Sequence, residues 1–266
     1  MPAETCIRVE RVLGDRIVTI TLNRPQVHNA MNVRMIEELT ACFADLRADE
    51  RLHGVLLTGE GASFSAGGDI GMMKDYATFT HEQNLADAYR LFDLFSSINI
   101  FPTPVIARVN GAAMGGGVGL VSVCDIAIAA ESARFAFSEA KLGLAPSTIA
   151  PFVVRKIGEA NARALFVTGE RFSAHRAYDI GLLNVVVPPE QLDEAVQKTL
   201  GELVTSSPHA VRACKAMALS IGHMGYEEAR DYTAETVARL RVSDEGQEGL
   251  RAFLEKRKPA WANVSS

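Results

Sequence analysis

The stretch PVIARVNGAAMGGGVGLVSVCDIAIAA, residues 104–130, decides the fold. PVIARV (104–109) is a short run of branched apolar residues, the composition of a buried strand. NGAAMGGG (110–117) is built almost wholly from residues with little or no side chain and reads as a loop. VGLVSV (118–123) reads as a short buried helix, and DIAIAA (125–130) as a second strand. Strand, small-residue loop, buried helix and strand in direct succession is the alternation of an α/β protein.

The pattern extends toward the N-terminus. Residues 6–9 and 16–22 alternate branched apolar with polar side chains, as half-buried strands do, and Asn23-Arg24-Pro25 ends the second run. From Asn32 the apolar spacing changes to three and four residues, at Met35, Ile36, Leu39, Cys42, Phe43 and Leu46, which is one face of a helix. GVLLT (54–58) is a further strand, EGASFSAGGD (60–69) a small-residue loop, and 82–98 a second amphipathic helix. Beyond Pro188-Pro189 the strand signal stops. Four helical patterns follow, at 192–204, 210–221, 226–240 and 248–256. The chain therefore divides into an α/β core, 1–190, and a helical region, 191–266.

Composition narrows the function. The chain has 266 residues, 48% hydrophobic and 22% charged, with 27 Lys+Arg against 32 Asp+Glu and a net charge of −5. So apolar and weakly charged a chain is not intrinsically disordered, and its length suits one large domain with a helical appendage. The acidic balance argues against nucleic-acid binding, which needs a cationic surface to neutralise phosphates. Cys6, Cys42, Cys124 and Cys214 form no CxxC pair, so neither a disulfide scaffold nor a Cys-rich zinc site is expected. The reducing cytoplasm is the expected compartment. MPAETCIRVERV lacks the apolar run of a secretory signal. The longest uncharged run, 109–124, is too short and too rich in glycine to span a membrane.

Several chemistries lack their motifs. His28, His53, His81, His175, His209 and His223 include no i,i+4 pair and no HExxH. The glycines 115–119 fail GxGxxG in every register, and neither a P-loop nor a GxSxG elbow occurs. Two loops remain, FSAGGD (64–69) and NGAAMGGG (110–117), each following a strand. Loops without side chains let backbone N–H groups approach a ligand closely. The second also feeds a helix, whose first N–H groups lack partners and carry partial positive charge. Two such N–H groups converging from two loops would form an oxyanion hole. Taken singly, either loop is more simply a tight turn.

Phe64-Ser65-Ala66-Gly67-Gly68-Asp69, residues 110–117, Cys124-Asp125-Ile126 and FSEAKLGL (137–144) together resemble the crotonase (enoyl-CoA hydratase/isomerase) superfamily. The resemblance covers nearly the whole chain. It begins at Leu22-Asn23-Arg24-Pro25 and Asn29-Ala30-Met31-Asn32, passes through LFVTGE (165–170) and Gly181-Leu182-Leu183, and ends at FLEKRKP (253–259). It implies a crotonase-type spiral of ββα units with a C-terminal helical trimerisation region, assembled as a trimer or a dimer of trimers. It implies an acyl-CoA substrate whose thioester carbonyl lies between the N–H groups of Gly68 and Gly116, and no cofactor, metal, nucleic acid or membrane beyond the coenzyme A of the substrate. The same resemblance puts the adenine near backbone carbonyls around Ala66. Asp69 and Ile70 are expected beside the CoA, and Lys74, just after the first loop, is either a CoA contact or a solvated lysine at a helix edge. Phe253 and Lys256 would complete a neighbouring subunit's CoA site. Asp69 is expected to fix its loop by hydrogen bonds rather than to move protons.

Acid/base residues decide the reaction. Family members that hydrate enoyl-CoA commonly use two glutamates. The second matches Glu139, in an apolar setting of Phe135, Phe137 and Leu142, where burial would raise its pKa into the useful range for proton transfer. The first position holds Gly119. The stretch 143–158 resembles bacterial 3-methylglutaconyl-CoA and carboxygeranoyl-CoA hydratases, which also carry glycine there. The expectation is therefore hydration or dehydration of a branched, carboxylate-bearing enoyl-CoA. A Δ3,Δ2-enoyl-CoA isomerase is the alternative within the class, and a non-catalytic scaffold or RNA-binding protein the alternative outside it.

Overall fold

A computed structural model describes residues 5–262; the ends of the two expected regions, 1–4 and 263–266, lie outside the described residues. Among the described residues, ten strands form two sheets. The larger contains β1 (Ile7–Val12), β2 (Ile17–Leu22), β3 (Gly54–Gly59), β5 (Val105–Val109), β7 (Ile126–Ala130) and β10 (Val185–Val187), side by side in that order. Only β1 and β2 pair antiparallel; the other neighbours are parallel. The smaller sheet contains β4 (Ser63–Ser65), β6 (Ala112–Met114), β8 (Arg134–Ala136) and β9 (Arg171–Ser173). The chain thus climbs as a spiral, β3 to β4, β5 to β6 and β7 to β8, with a helix after each pair.

The helices are α1 (Val33–Leu46), α2 (Ile70–Tyr76), α3 (His81–Asn99), α4 (Gly116–Val123), α5 (Ala150–Thr168), α6 (Ala174–Asp179), α7 (Leu192–Val204), α8 (Pro208–Ser220), α9 (Tyr226–Val242) and α10 (Asp244–Leu254). Local chemistry starts several of them. The Asn32 side chain accepts the Met35 N–H at the head of α1, and Thr80 with Gln83 forms a capping box on α3.

Strand periodicity sends alternate side chains to opposite faces of the large sheet. Val18, Ile20, Val55, Leu57, Val105, Ala107, Ala127 and Ala129 enter the main core with α1, α3, α4 and α5. Ile17, Leu56, Ile106 and Ile128 point the other way and meet Leu192, Val196, Leu200 and Val204, the i,i+4 stripe of α7. With both faces covered, parallel strands are built from continuous branched apolar residues. Each such side chain fully buried contributes roughly 2 kcal/mol.

The helix α8 is tied to the same sheet by charge. Lys215 Nζ lies 2.6 Å from Asp125 Oδ2, which also accepts the Val105 N–H at 2.7 Å. Trp261 closes the end of the chain, its indole N–H donating to the Thr205 carbonyl at 3.1 Å.

Three differences from the sequence reading stand out. The two small-residue loops each contain a three-residue strand, β4 and β6, and α4 begins at Gly116 rather than at 118. The later helices begin earlier than their apolar spacing suggests, at Pro208 and Asp244, because Ser207 and Ser243 cap them with side-chain oxygens. No helix among the described residues is long and apolar enough to cross a membrane.

Candidate active site

The first loop is pinned from behind. Asn29 is fully buried; its amide donates to the carbonyls of Glu60 (2.9 Å) and Ser63 (2.8 Å), and its Oδ1 accepts the Arg24 N–H (2.9 Å). Met31 pairs with the loop as an isolated parallel bridge, donating to Gly67 O at 2.6 Å and accepting from Asp69 N at 3.0 Å. Ala66 N donates to His28 O at 2.9 Å, and Gly67 N to Ser65 Oγ at 3.3 Å. Every N–H from 66 to 69 is thereby engaged except that of Gly68, which has no acceptor among the described residues. Gly68 is exposed, so its free N–H is open to an acceptor from outside the chain.

Asp69 holds this arrangement. Its Oδ2 accepts from Arg24 Nη1 and its Oδ1 from Gly71 N, both at 2.7 Å. Burial alone would raise its carboxyl, but the bonds from Arg24, Gly71 and Met72 outweigh that and hold it below the ordinary carboxylate range.

The second loop turns from β6 into α4. Gly115 N donates to Ala136 O at 2.9 Å, while the N–H of Gly116, the first helical residue, has no acceptor among the described residues. The two loops touch. Gly67 has φ +86°, and a methyl added to it would lie 2.6 Å from the Met114 carbonyl oxygen and 3.3 Å from Gly116 N. Only a residue without a side chain permits this approach.

Glu139 reaches the same place from a third element, the 3-10 turn Ser138–Leu142 that follows β8. A methyl on Gly115 would lie 3.0 Å from Glu139 Oε1, so the carboxylate sits against the N-terminus of α4. Its Oε2 is buried and has no hydrogen-bond partner. Burial pushes the carboxyl above its ordinary value, with only its own backbone N–H opposing. Phe135 and Phe137 are buried beside this turn, and Phe137 packs edge-on to Phe166 with ring centroids 4.9 Å apart. Leu142, expected in the same apolar wall, is 59% exposed because the turn directs it outward.

Two free N–H groups from touching loops, next to a carboxyl biased toward its protonated form, can hold negative charge on an oxygen while exchanging a proton with an adjacent carbon. The other expected residues are dispersed. Ala66, Ile70 and Lys74 are exposed along the first loop and α2. Phe253, 81% exposed, and Lys256 are at the surface around the end of α10 and hydrogen-bond to no residue of either loop. Residues whose part in the site sequence reasoning missed are Arg24, Asn29, Met31 and Ser65. A left-handed φ at Asn29 with three hydrogen bonds has no local signature beyond the residue type itself.

Comparison with known proteins shows the family and the fold. Residues 13–264 match the profile of the enoyl-CoA hydratase/isomerase family. A crystal structure of an enoyl-CoA hydratase from Shewanella pealeana is 39% identical, has a TM-score of 0.91, and is matched over 96% of each chain. Pseudomonas aeruginosa AtuE is 37% identical with a TM-score of 0.94, over 98% of this chain and 100% of its own. Enoyl-CoA hydratase ACTT6 of Alternaria alternata is 37% identical over 201 residues, 75% of this chain and 65% of its own length.

Proposed function

The chain belongs to the enoyl-CoA hydratase/isomerase family and is an enzyme of that family, and on that premise we propose that it adds water reversibly across the C2=C3 bond of a branched enoyl-CoA. The observation that carries this reading is the pair of unpaired N–H groups, Gly68 and Gly116, together with the half-buried Glu139, whose Oε2 has no hydrogen-bond partner.

In the hydration direction the Glu139 carboxylate takes a proton from water. The freed hydroxide bonds to C3 as the C2=C3 electron pair shifts toward C1, and the thioester oxygen becomes an enolate held by the two N–H groups. The enolate then collapses, C2 takes the proton back from Glu139, and the sum is the addition of one water. Each N–H donor of such a hole is worth roughly 10²–10³ in rate. The proton carrier is worth roughly 10²–10⁴. Both donors are backbone groups, so the scheme calls on no metal and no cofactor beyond the coenzyme A of the substrate.

For the acyl group we propose 3-methylglutaconyl-CoA or a close analogue. Glycine at 119 and the sequence of 143–158 support that choice. The names of the Shewanella and Alternaria proteins support hydration. A single carboxylate also suits a Δ3,Δ2-enoyl-CoA isomerase, which moves one proton between two carbons and needs no second acid at 119. The proposal includes a homo-oligomer, supported by the apolar side chains Val237, Leu250, Phe253 and Leu254 exposed on α9 and α10. It includes the reducing cytoplasm, supported by four free thiols.

The test is to incubate the purified protein with crotonyl-CoA, 3-methylglutaconyl-CoA and a 3-enoyl-CoA and identify products by mass. A product heavier by one water is expected from the branched substrate, an isomeric product would favour the second reading, and no turnover of any of them would overturn both.

A further inference from the structure

Position 119 is more than a missing acid. It lies three residues after Gly116 on α4, the helix whose N-terminus Glu139 approaches, and so shares the face of Gly116. A second proton carrier would stand there. Instead, a Cβ at 119 would overlap the Cγ2 methyl of Ile149 and lie 3.0 Å from Cζ and 3.1 Å from Cε1 of Phe95 on α3. Both side chains are buried, and the same Phe95 Cζ also lies 3.8 Å from where a Cβ would sit on Gly116. One aromatic edge therefore runs from the oxyanion donor to position 119, and Ile149 closes what remains.

We infer that Ile149, backed by Phe95, is the residue that makes this a one-carboxylate site: its methyl occupies the space of a second acid, so a single side chain both takes and returns the proton. This rests on the proposed function and deepens it. The reaction follows from packing as well as from residue type, because glycine at 119 would leave a vacancy open to water if Ile149 did not fill it. Ile149 precedes α5 and is carried to α4 by the tertiary fold, across a sequence separation of 30. It acts by excluding a group, and it touches no proton itself.

The experiment is a double-mutant cycle on the full chain with two readouts, thermal midpoint and the pH profile of kcat/KM on whichever enoyl-CoA the wild type turns over. The wild type should show one ionisation. Gly119→Glu alone should lower the midpoint by roughly 3–10 °C, the usual effect of overpacking a core in a chain of this size. Gly119→Glu with Ile149→Ala should recover much of that loss and add a second ionisation, whereas Ile149→Ala alone should keep one. In the Glu139→Gln background, the same pair should raise turnover at least tenfold over Glu139→Gln alone. Two ionisations in the wild type, or Gly119→Glu tolerated at the wild-type midpoint, would overturn the inference and leave the proposed function standing. Absence of turnover on every enoyl-CoA would overturn the proposed function, and this inference with it.

Discussion

Replacing Gly67 with alanine probes the contact on which the site depends. Two costs follow from the geometry. An L-residue at φ +86° leaves its favoured region at about 1–2 kcal/mol. The new methyl would then lie 2.6 Å from the Met114 carbonyl oxygen, closer than a carbon can stand to an oxygen, so one loop must move away. Overpacking of this kind costs about 1–3 kcal/mol. The sum is roughly 2–5 kcal/mol, or roughly 4–20 °C in Tm for a chain of this size. Gly14→Ala is the control: φ is +65° there, but nothing lies within 4 Å of the added methyl, so only the backbone cost applies. Kinetics separate the two variants further. Displacing Gly116 N by a few tenths of an ångström to an ångström should lower kcat by about 10²-fold, while Gly14→Ala should retain wild-type kcat. The assay is steady-state turnover of the enoyl-CoA alongside thermal unfolding. Wild-type kcat in Gly67→Ala, with a stability loss no larger than that of Gly14→Ala, would refute the claim that these loops are in contact.

Other variants test separate parts of the structure. Glu139→Gln should slow turnover by about 10²–10⁴-fold, and it should also stabilise the fold. Because the folded-state carboxyl is raised by burial, its contribution to stability is complete below the ordinary value of 4.5 and is lost as pH rises through the folded value. The variant should therefore melt higher than wild type at about pH 8, with the gap closing below about pH 4; an unchanged gap across pH would contradict the assigned cause. Asn29→Ala leaves Arg24 N and the Glu60 and Ser63 carbonyls without their partner and should cost about 3 kcal/mol or more in urea unfolding. Lys215→Ala strands the Asp125 carboxylate beneath α8 and should cost about 3 kcal/mol, with Lys215→Ala/Asp125→Ala together costing less than the sum of the singles.

The strands and helices that organise this protein are legible locally. β3, β5 and β7 are near-continuous runs of apolar residues, as strands covered on both faces are, whereas the alternation in β2 reads as half-buried and the fold covers it on both sides. The stripe Leu192, Val196, Leu200 and Val204 announces α7 as a covering helix in the same way. The three-residue strands β4, β6 and β8 are not legible, since what makes them strands is pairing across long separations, Ser63 with Ala112 and Ala113 with Phe135. No window of sequence contains both partners.

The candidate site divides along the same line. Residue types alone determined that two loops rich in small residues follow strands, that one of them starts a helix, and that a glutamate comes after them. Only the folded chain decided which N–H groups stay free. That outcome is a subtraction: His28, Met31 and Ser65 take up the bonds of their neighbours and leave Gly68 without one. Likewise, glycine at 119 says that an acid is missing, but whether its place is empty or filled depends on Ile149 and Phe95, brought there by other helices. Local propensity is set by a residue and its near neighbours, whereas the pairing of a donor and the filling of a space are set by whatever the rest of the fold delivers to that point.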